Sequence, residues 1–306
     1  MSRHHLSAAF GFFCFMASFC FADEGGSYRV LVEEGKHADV LDPNGNPILR
    51  YMCERDTSSP ERSFDTAKVF AHVIGPDGKE TLTKGAGGKF PHHRGIFVGW
   101  NRIEQDGKQH DLWHVRNTLQ KHQEFLSTQA SEDGAAITSI IAWVGVDGQT
   151  LIEEKRTYEV LDSSDSYALI DFTTALTAKQ GDLKLGGDPE HAGVQFRPSQ
   201  KVAENQSATY AFHEKGIDPK KDRDLPWVAG SFRIDDQMWT VQHMNHPSNP
   251  PGAIWSAYRD YGRFGPFTVL EIAEGETVTL RYRFRVTKGD APPRETMAKQ
   301  FEQFSR

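Results

Sequence analysis

Alternation of apolar and polar positions is clearest in the C-terminal third, where Val278, Leu280, Tyr282, Phe284 and Val286 interleave with Thr277, Thr279, Arg281, Arg283 and Arg285. Successive side chains of an extended chain point to opposite faces, so this period of two predicts a half-buried strand. Phe267 to Ala273 reads as another strand, and Glu274-Gly275-Glu276 between them predicts a hairpin. Residues Ala136 to Val146, Leu151 to Leu161 and Tyr167 to Leu176 are rich in β-branched and aromatic side chains and are separated by Asp147-Gly148 and Ser163-Ser164-Asp165, which predicts a three-stranded meander. Tyr28 to Glu33, Ala38 to Leu41 and Ile48 to Met52 repeat the pattern around an Asp42-Pro43-Asn44-Gly45 turn, and short strands follow at Val69 to Ile74 and Gly95 to Trp100.

Helix signals are confined to Pro293 to Phe304, a terminal helix of about three turns. Many short strands closed by Gly, Pro, Asn and Asp turns predict an all-β fold, a large antiparallel β-sandwich with a short C-terminal helix. Two stretches resist assignment. Lys201 to Val228 is largely polar, and His246 to Pro266 is rich in proline, glycine and aromatic residues, as a functional loop would be.

The apolar run Leu6 to Ala22 behind Arg3 has the form of a signal peptide, with cleavage expected before Asp23 and a membrane anchor as the alternative. Residues 23–306 are then expected to form a single secreted or periplasmic domain. Its remaining cysteine, Cys53, would have no intramolecular partner, since Cys14 and Cys20 leave with the leader. A net charge of −7 with no basic block argues against nucleic acid as a partner. No later apolar run approaches the roughly 20 residues needed to cross a bilayer.

Candidate chemistry concentrates in histidine-bearing segments. Phe90-Pro91-His92-His93-Arg94-Gly95 sets two imidazoles and a guanidinium ahead of a strand. In His110-Asp111-Leu112-Trp113-His114-Val115-Arg116, strand spacing would align His110, His114 and Arg116 opposite Trp113, and helical spacing would also make His110 and His114 neighbours. In His191-Ala192-Gly193-Val194-Gln195-Phe196-Arg197 a strand would place His191, Gln195 and Arg197 on one face, with Gly193 leaving room for a ligand, and Ala192, Val194 and Phe196 in the core. His246 follows in Asn245-His246-Pro247, and Trp255, Tyr258, Arg259 and Tyr261 offer aromatic faces and charges suited either to a polyhydroxylated ring or to a protein interface. Alternation along Phe267, Val269 and Glu271 would turn the Glu271 carboxylate inward, where burial raises its pKa and suits it to act as a base.

On Pro91-His92-His93-Arg94-Gly95, His191 to Arg197, and Asn245-His246-Pro247 through Tyr258-Arg259-Asp260-Tyr261-Gly262, the chain resembles the bacterial PmoA family, named after methane oxygenase. A true membrane oxygenase subunit would need several apolar spans, so the resemblance implies relatives rather than a reaction. The Glu274 to Leu280 segment is similar to the last strands of galactose-mutarotase-like supersandwich proteins, which implies a His and a Glu on a concave face handling sugar protons, with His246 and Glu271 the nearest candidates.

Together these readings predict a secreted carbohydrate-active enzyme of epimerase, hydrolase or lyase type. His93, His191, His246 and Glu271 would be its acid and base groups. His92, Arg94, His114, Gln195, Arg197, Trp255, Tyr258, Arg259 and Tyr261 would line a concave surface between two sheets, with the arginines holding hydroxyls or a uronate carboxylate. No cofactor is required, although the number of imidazoles leaves a divalent metal open, and a noncatalytic glycan-binding or interaction protein is the opposing class.

Overall fold

The computed structural model describes residues 26–306, so the leader expected over residues 1–22 lies outside the described residues. Six antiparallel strands form one sheet, in the order Arg29–Glu33, His37–Leu41, Pro47–Met52, Phe70–Val73, Ile96–Trp100 and Ala192–Phe196. Eight form the other, running from Thr209–Phe212 through Trp227–Ile234, Gln237–Asn245, Thr277–Lys288, Ala168–Ala178, Thr150–Leu161 and Gly134–Val144 to Leu119–Ala130. The two pack face to face, so the expected antiparallel sandwich is the fold. The expected terminal helix spans Arg294–Phe304. No helix among the described residues is long and apolar enough to cross a membrane.

The meander forms as its turns predict, with Tyr158 in register between Ile137 and Phe172. The C-terminal hairpin does not form. Leu270–Ile272 pairs instead with Leu183–Gly186 in a four-stranded sheet, while both edges of Thr277–Lys288 are taken by Ala168–Ala178 and Gln237–Asn245. The Glu274-Gly275-Glu276 turn therefore carries the chain between sheets. Other elements left weaker traces in the sequence: the edge strand Leu119–Ala130 is largely exposed and lacks alternation, and a short helix at Pro60–Asp65 is capped by Ser59, whose side chain accepts from Arg62 N.

Ile96, Val98 and Trp100, with Ala192, Val194 and Phe196, face the large sheet and join one core with Trp143, Tyr158, Phe172 and Phe284. Polar pegs cross this core. Glu154 and Arg156 are both fully buried and bond at 2.7 Å through two nitrogens, and the Trp143 indole and Thr174 hydroxyl also donate to the carboxylate at 2.7 Å. Arg156 Nη1 donates onward to the Val69 carbonyl at 2.7 Å, and the Tyr158 hydroxyl donates to the Ile96 carbonyl at 3.1 Å. The large sheet thus grips the small one at two points of its backbone.

Removing one member of a buried pair strands the other charge, so Glu154→Gln should lower unfolding free energy by about 3–5 kcal/mol in urea denaturation. A loss below about 1 kcal/mol would contradict this account of the core.

Candidate active site

The second face of Ile96–Trp100 and Ala192–Phe196 turns away from the large sheet, yet both strands are wholly buried because loops roof them. Gly99 admits the roof: a Cβ there would lie 2.7 Å from the Leu112 carbonyl oxygen. Gly193 does the same. Its φ is +86°, and a Cβ would lie 2.0 Å from the Pro266 oxygen, so the space expected for a ligand is filled by backbone. Phe97 packs under this roof with Phe70 and Trp113 in a small separate cluster.

The roof loops bring four imidazoles into a row. Ring centroids are 4.5 Å apart for His93 and His92, 4.5 Å for His92 and His114, and 5.1 Å for His114 and His191. The row lies on the outer face of the six-stranded sheet, and the space between the sheets, where a concave site was expected, is filled by the packed core and its polar pegs. Two members are held alike. His114 Nδ1 lies 2.8 Å from Asp111 Oδ2, and His191 Nδ1 lies 2.8 Å from Asp188 Oδ1, three residues back in each case. A carboxylate only accepts, so both rings carry the proton on Nδ1 and present Nε2 outward. Each Asp also accepts backbone N–H bonds within its own turn, from Trp113 and His114 at one and from Glu190 at the other. Burial works against the Asp111 carboxylate, but the bonds from His114 and Trp113 hold its pKa below the usual range.

Phe90 and Val115 flank the row with φ of +57° and +54°. For a bulky and a β-branched residue this is a costly conformation, and such strain collects at functional sites. Phe90 lies 4.8 Å from Tyr261 between centroids, and Tyr261 lies 6.1 Å from His93. These half-buried and buried aromatics border the imidazoles. Beneath them, Lys68 Nζ donates to the His92 carbonyl at 2.7 Å and sits 4.7 Å from the Phe97 ring. Burial drives the His92 pKa down to about 2 and that of His93 well below the ordinary value, with further lowering from neighbouring cations.

His92, His93, His114, His191 and Tyr261 therefore converge as a group. Tyr258 and Arg259 stand at its rim, both bonded to Glu190 beside His191. Arg94 and Arg197 are buried supports rather than exposed clamps: Arg94 donates to the Pro91, His93 and Asp65 carbonyls, and Arg197 to those of Pro198 and Tyr261. Gln195 is likewise buried, accepting from Arg263 at 2.9 Å.

Three expected residues lie elsewhere. Trp255 is fully buried, with its indole donating to the Leu225 carbonyl, so it offers no stacking face. His246 bonds Ser248 and packs 5.1 Å from Phe304 of the terminal helix. Glu271 is 75% exposed and pairs with Lys184, since Leu270 and Ile272 are the inward residues and the expected alternation is off by one. Glu271 lines a cleft of about 910 Å³ beside Glu104 and Asp106, whose lining includes no histidine. Asp111, Asp188 and Lys68 were given no role from the sequence, although the spacing Asp-x-x-His occurs at both dyads. Among the described residues no group of three or more His, Cys, Asp or Glu side chains is arranged as a metal site.

Fold and site together define an antiparallel β-sandwich whose roofed small sheet carries a histidine-lined surface. The chain belongs to the family of unknown function DUF6807, whose model matches residues 40–302. Membership of this family, rather than the PmoA name, is what the match shows. No curated protein matches the chain. Among solved structures, a heparan sulfate lyase mutant from Pedobacter heparinus aligns over 87% of this chain at 8% identity and a TM-score of 0.44. A kojibiose phosphorylase candidate from the human microbiome aligns over 92% at 8% identity and 0.36. The chain spans 37% and 36% of these two proteins' lengths. An aldose 1-epimerase candidate from Escherichia coli K12 aligns over 86% of this chain and 99% of its own length, at 12% identity and 0.31.

Buried neutral histidines give the fold a pH dependence. Burial holds the pKa of His93 and His243 well below 6.5 and that of His72 at about 4. The unfolded chain then binds protons first, so stability is full above about pH 6.5 and falls as pH drops below it, by about 1.4 kcal/mol per pH unit for each such group. Replacing the fully buried His243, whose ring lies 4.2 Å from Phe284, by Phe should remove one group's share of the slope between pH 6 and 5. An unchanged slope would refute the assignment.

Proposed function

We propose that this chain is a secreted carbohydrate-active enzyme in which the Asp111–His114 and Asp188–His191 pairs move protons on a bound sugar. The observation that carries the reading is the side-by-side placement of two carboxylate-held imidazoles, with ring centroids 5.1 Å apart and neither Nε2 bonded to another of the described residues. A carboxylate behind Nδ1 fixes the orientation and tautomer of each ring, which presents Nε2 to the ligand and suits one ring to take a proton and the other to give one. Rings at this separation are nearly in contact, so no pyranose fits between them and both address the ligand from one side. That arrangement favours proton transfer between neighbouring atoms of a sugar, as in ring opening at the anomeric carbon or elimination, over chemistry that needs groups on opposite faces.

Phe90, half-buried and backed by the buried Tyr261 ring, supplies the apolar surface on which sugar C–H groups stack, the role expected of Trp255. Tyr258, Arg259 and Glu190 offer donors and acceptors for hydroxyls at the rim. Secretion rests on the Arg3 and Leu6 to Ala22 leader.

Incubation with a panel of poly- and oligosaccharides, read by mass spectrometry, tests the assignment. Turnover should appear on at least one sugar and fall about 10²–10⁴-fold in His191→Ala and His114→Ala, with sugar affinity kept within about tenfold. Binding without turnover across the panel would replace the enzyme by a glycan-binding protein.

A further inference from the structure

Three cationic side chains beneath the imidazole row have no carboxylate partner among the described residues. Lys68, Arg197 and Arg263 are at most 2% exposed. Lys68 reaches the His92 carbonyl, Arg197 those of Tyr261 and Pro198, and Arg263 the Gln195 amide oxygen at 2.9 Å and the Ser256 hydroxyl at 2.8 Å. All these acceptors are neutral. The carboxylates close by are already engaged, Asp111 with His114, Asp188 with His191 and Glu190 with Arg259. Arg94, also fully buried, likewise donates only to carbonyls, whereas Arg156 between the sheets is paired with the Glu154 carboxylate.

Uncompensated buried charge is costly, and a bound anion relieves that cost. Unused polar atoms gather at the same place: among the described residues Arg197 Nε and Nη2 and the Trp113 indole N–H are buried donors without an acceptor, and His93 Nδ1 is buried without a partner. Arg263 stands 5.8 Å from the Trp113 ring, and Arg197 stands 5.0 Å from the Tyr261 ring that borders His93. The positive field therefore centres under the His93 end of the row. Overall the chain is acidic, with a net charge of −7, so this local excess runs against the molecule's average.

We propose that the ligand of this site is an anionic sugar, whose carboxylate or sulfate is held in the field of Lys68, Arg197 and Arg263 while its ring lies along the imidazole row. The inference rests on the carbohydrate reading above and adds to it the charge of the substrate. Guanidinium groups stay protonated in proteins, so Arg197 and Arg263 act as fixed charges, and an arriving anion favours the protonated form of Lys68.

Calorimetric titration of the full chain with oligouronates, their carboxyl-reduced neutral counterparts and sulfated oligosaccharides tests it. At least one charged sugar should bind tenfold or more tighter than its neutral counterpart, and the uronate and sulfate arms identify the anionic group. Equal affinity for charged and reduced sugars overturns the inference and leaves the carbohydrate reading standing, whereas no binding in any arm overturns both. Arg197→Gln keeps a donor for the Tyr261 carbonyl, and Lys68→Gln serves where that variant does not fold. In either, the charged-to-neutral affinity ratio should fall toward one, and a ratio that stays at ten or above overturns the role given to these cations.

Discussion

The buried pair between Glu154 and Arg156 is the constraint on which the rest of the structure leans. It sits in the middle of the large sheet with every charged oxygen and nitrogen of the pair engaged, and its remaining guanidinium nitrogen reaches the Val69 carbonyl. Val69 adjoins Lys68, under the imidazole row, and leads into Phe70–Val73. That strand and Ile96–Trp100 share a single registered pair, Ala71 with Ile96, so their own ladder does little to align them. Arg156 at one strand and Tyr158 at the other do so from across the core. The His92–His93 loop joins these two strands, and its position follows from a polar contact in the centre of the sandwich.

Rigid sheets beneath and strained loops above divide the work. The sandwich supplies a floor of Phe97, Gly99 and Gly193, and the roof loops carry the four imidazoles of the row, as is common where loops are positioned by a stiff scaffold. Phe90 and Val115 hold disfavoured backbone conformations at the edges of the row, and Arg94 ties the His93 loop to its own carbonyls and to Asp65. Buried cations and histidines add their desolvation cost to that of the strained backbone at the same loops.

The sandwich was legible in the sequence because its central strands alternate over ten or more residues and end at unmistakable turns. The histidine segments were legible too, since such side chains stand out in any pattern of strands. What periodicity cannot show is whether a later loop covers a strand's second face. Gln195 and Arg197 shared a face as expected, but the loop carrying Arg263 and Pro266 closes over them. Trp255 looked like a stacking platform only until the Leu225 carbonyl claimed its indole, and Glu271 turned outward through a slip of one residue. The aspartates behind His114 and His191 were three residues away in plain view, but their role depends on turn geometry that residue type alone does not reveal.

The central claim is that His114 and His191 form one site, each ring held through Nδ1 by its aspartate. Long-range ¹⁵N–¹H NMR of the imidazoles tests this most directly. Both rings should show the Nδ1–H tautomer, and the Nε2 signals of both should shift together as one sugar is titrated in. Protonation at Nε2 in either neutral ring, or a sugar that binds while leaving both rings unmoved, would contradict the account.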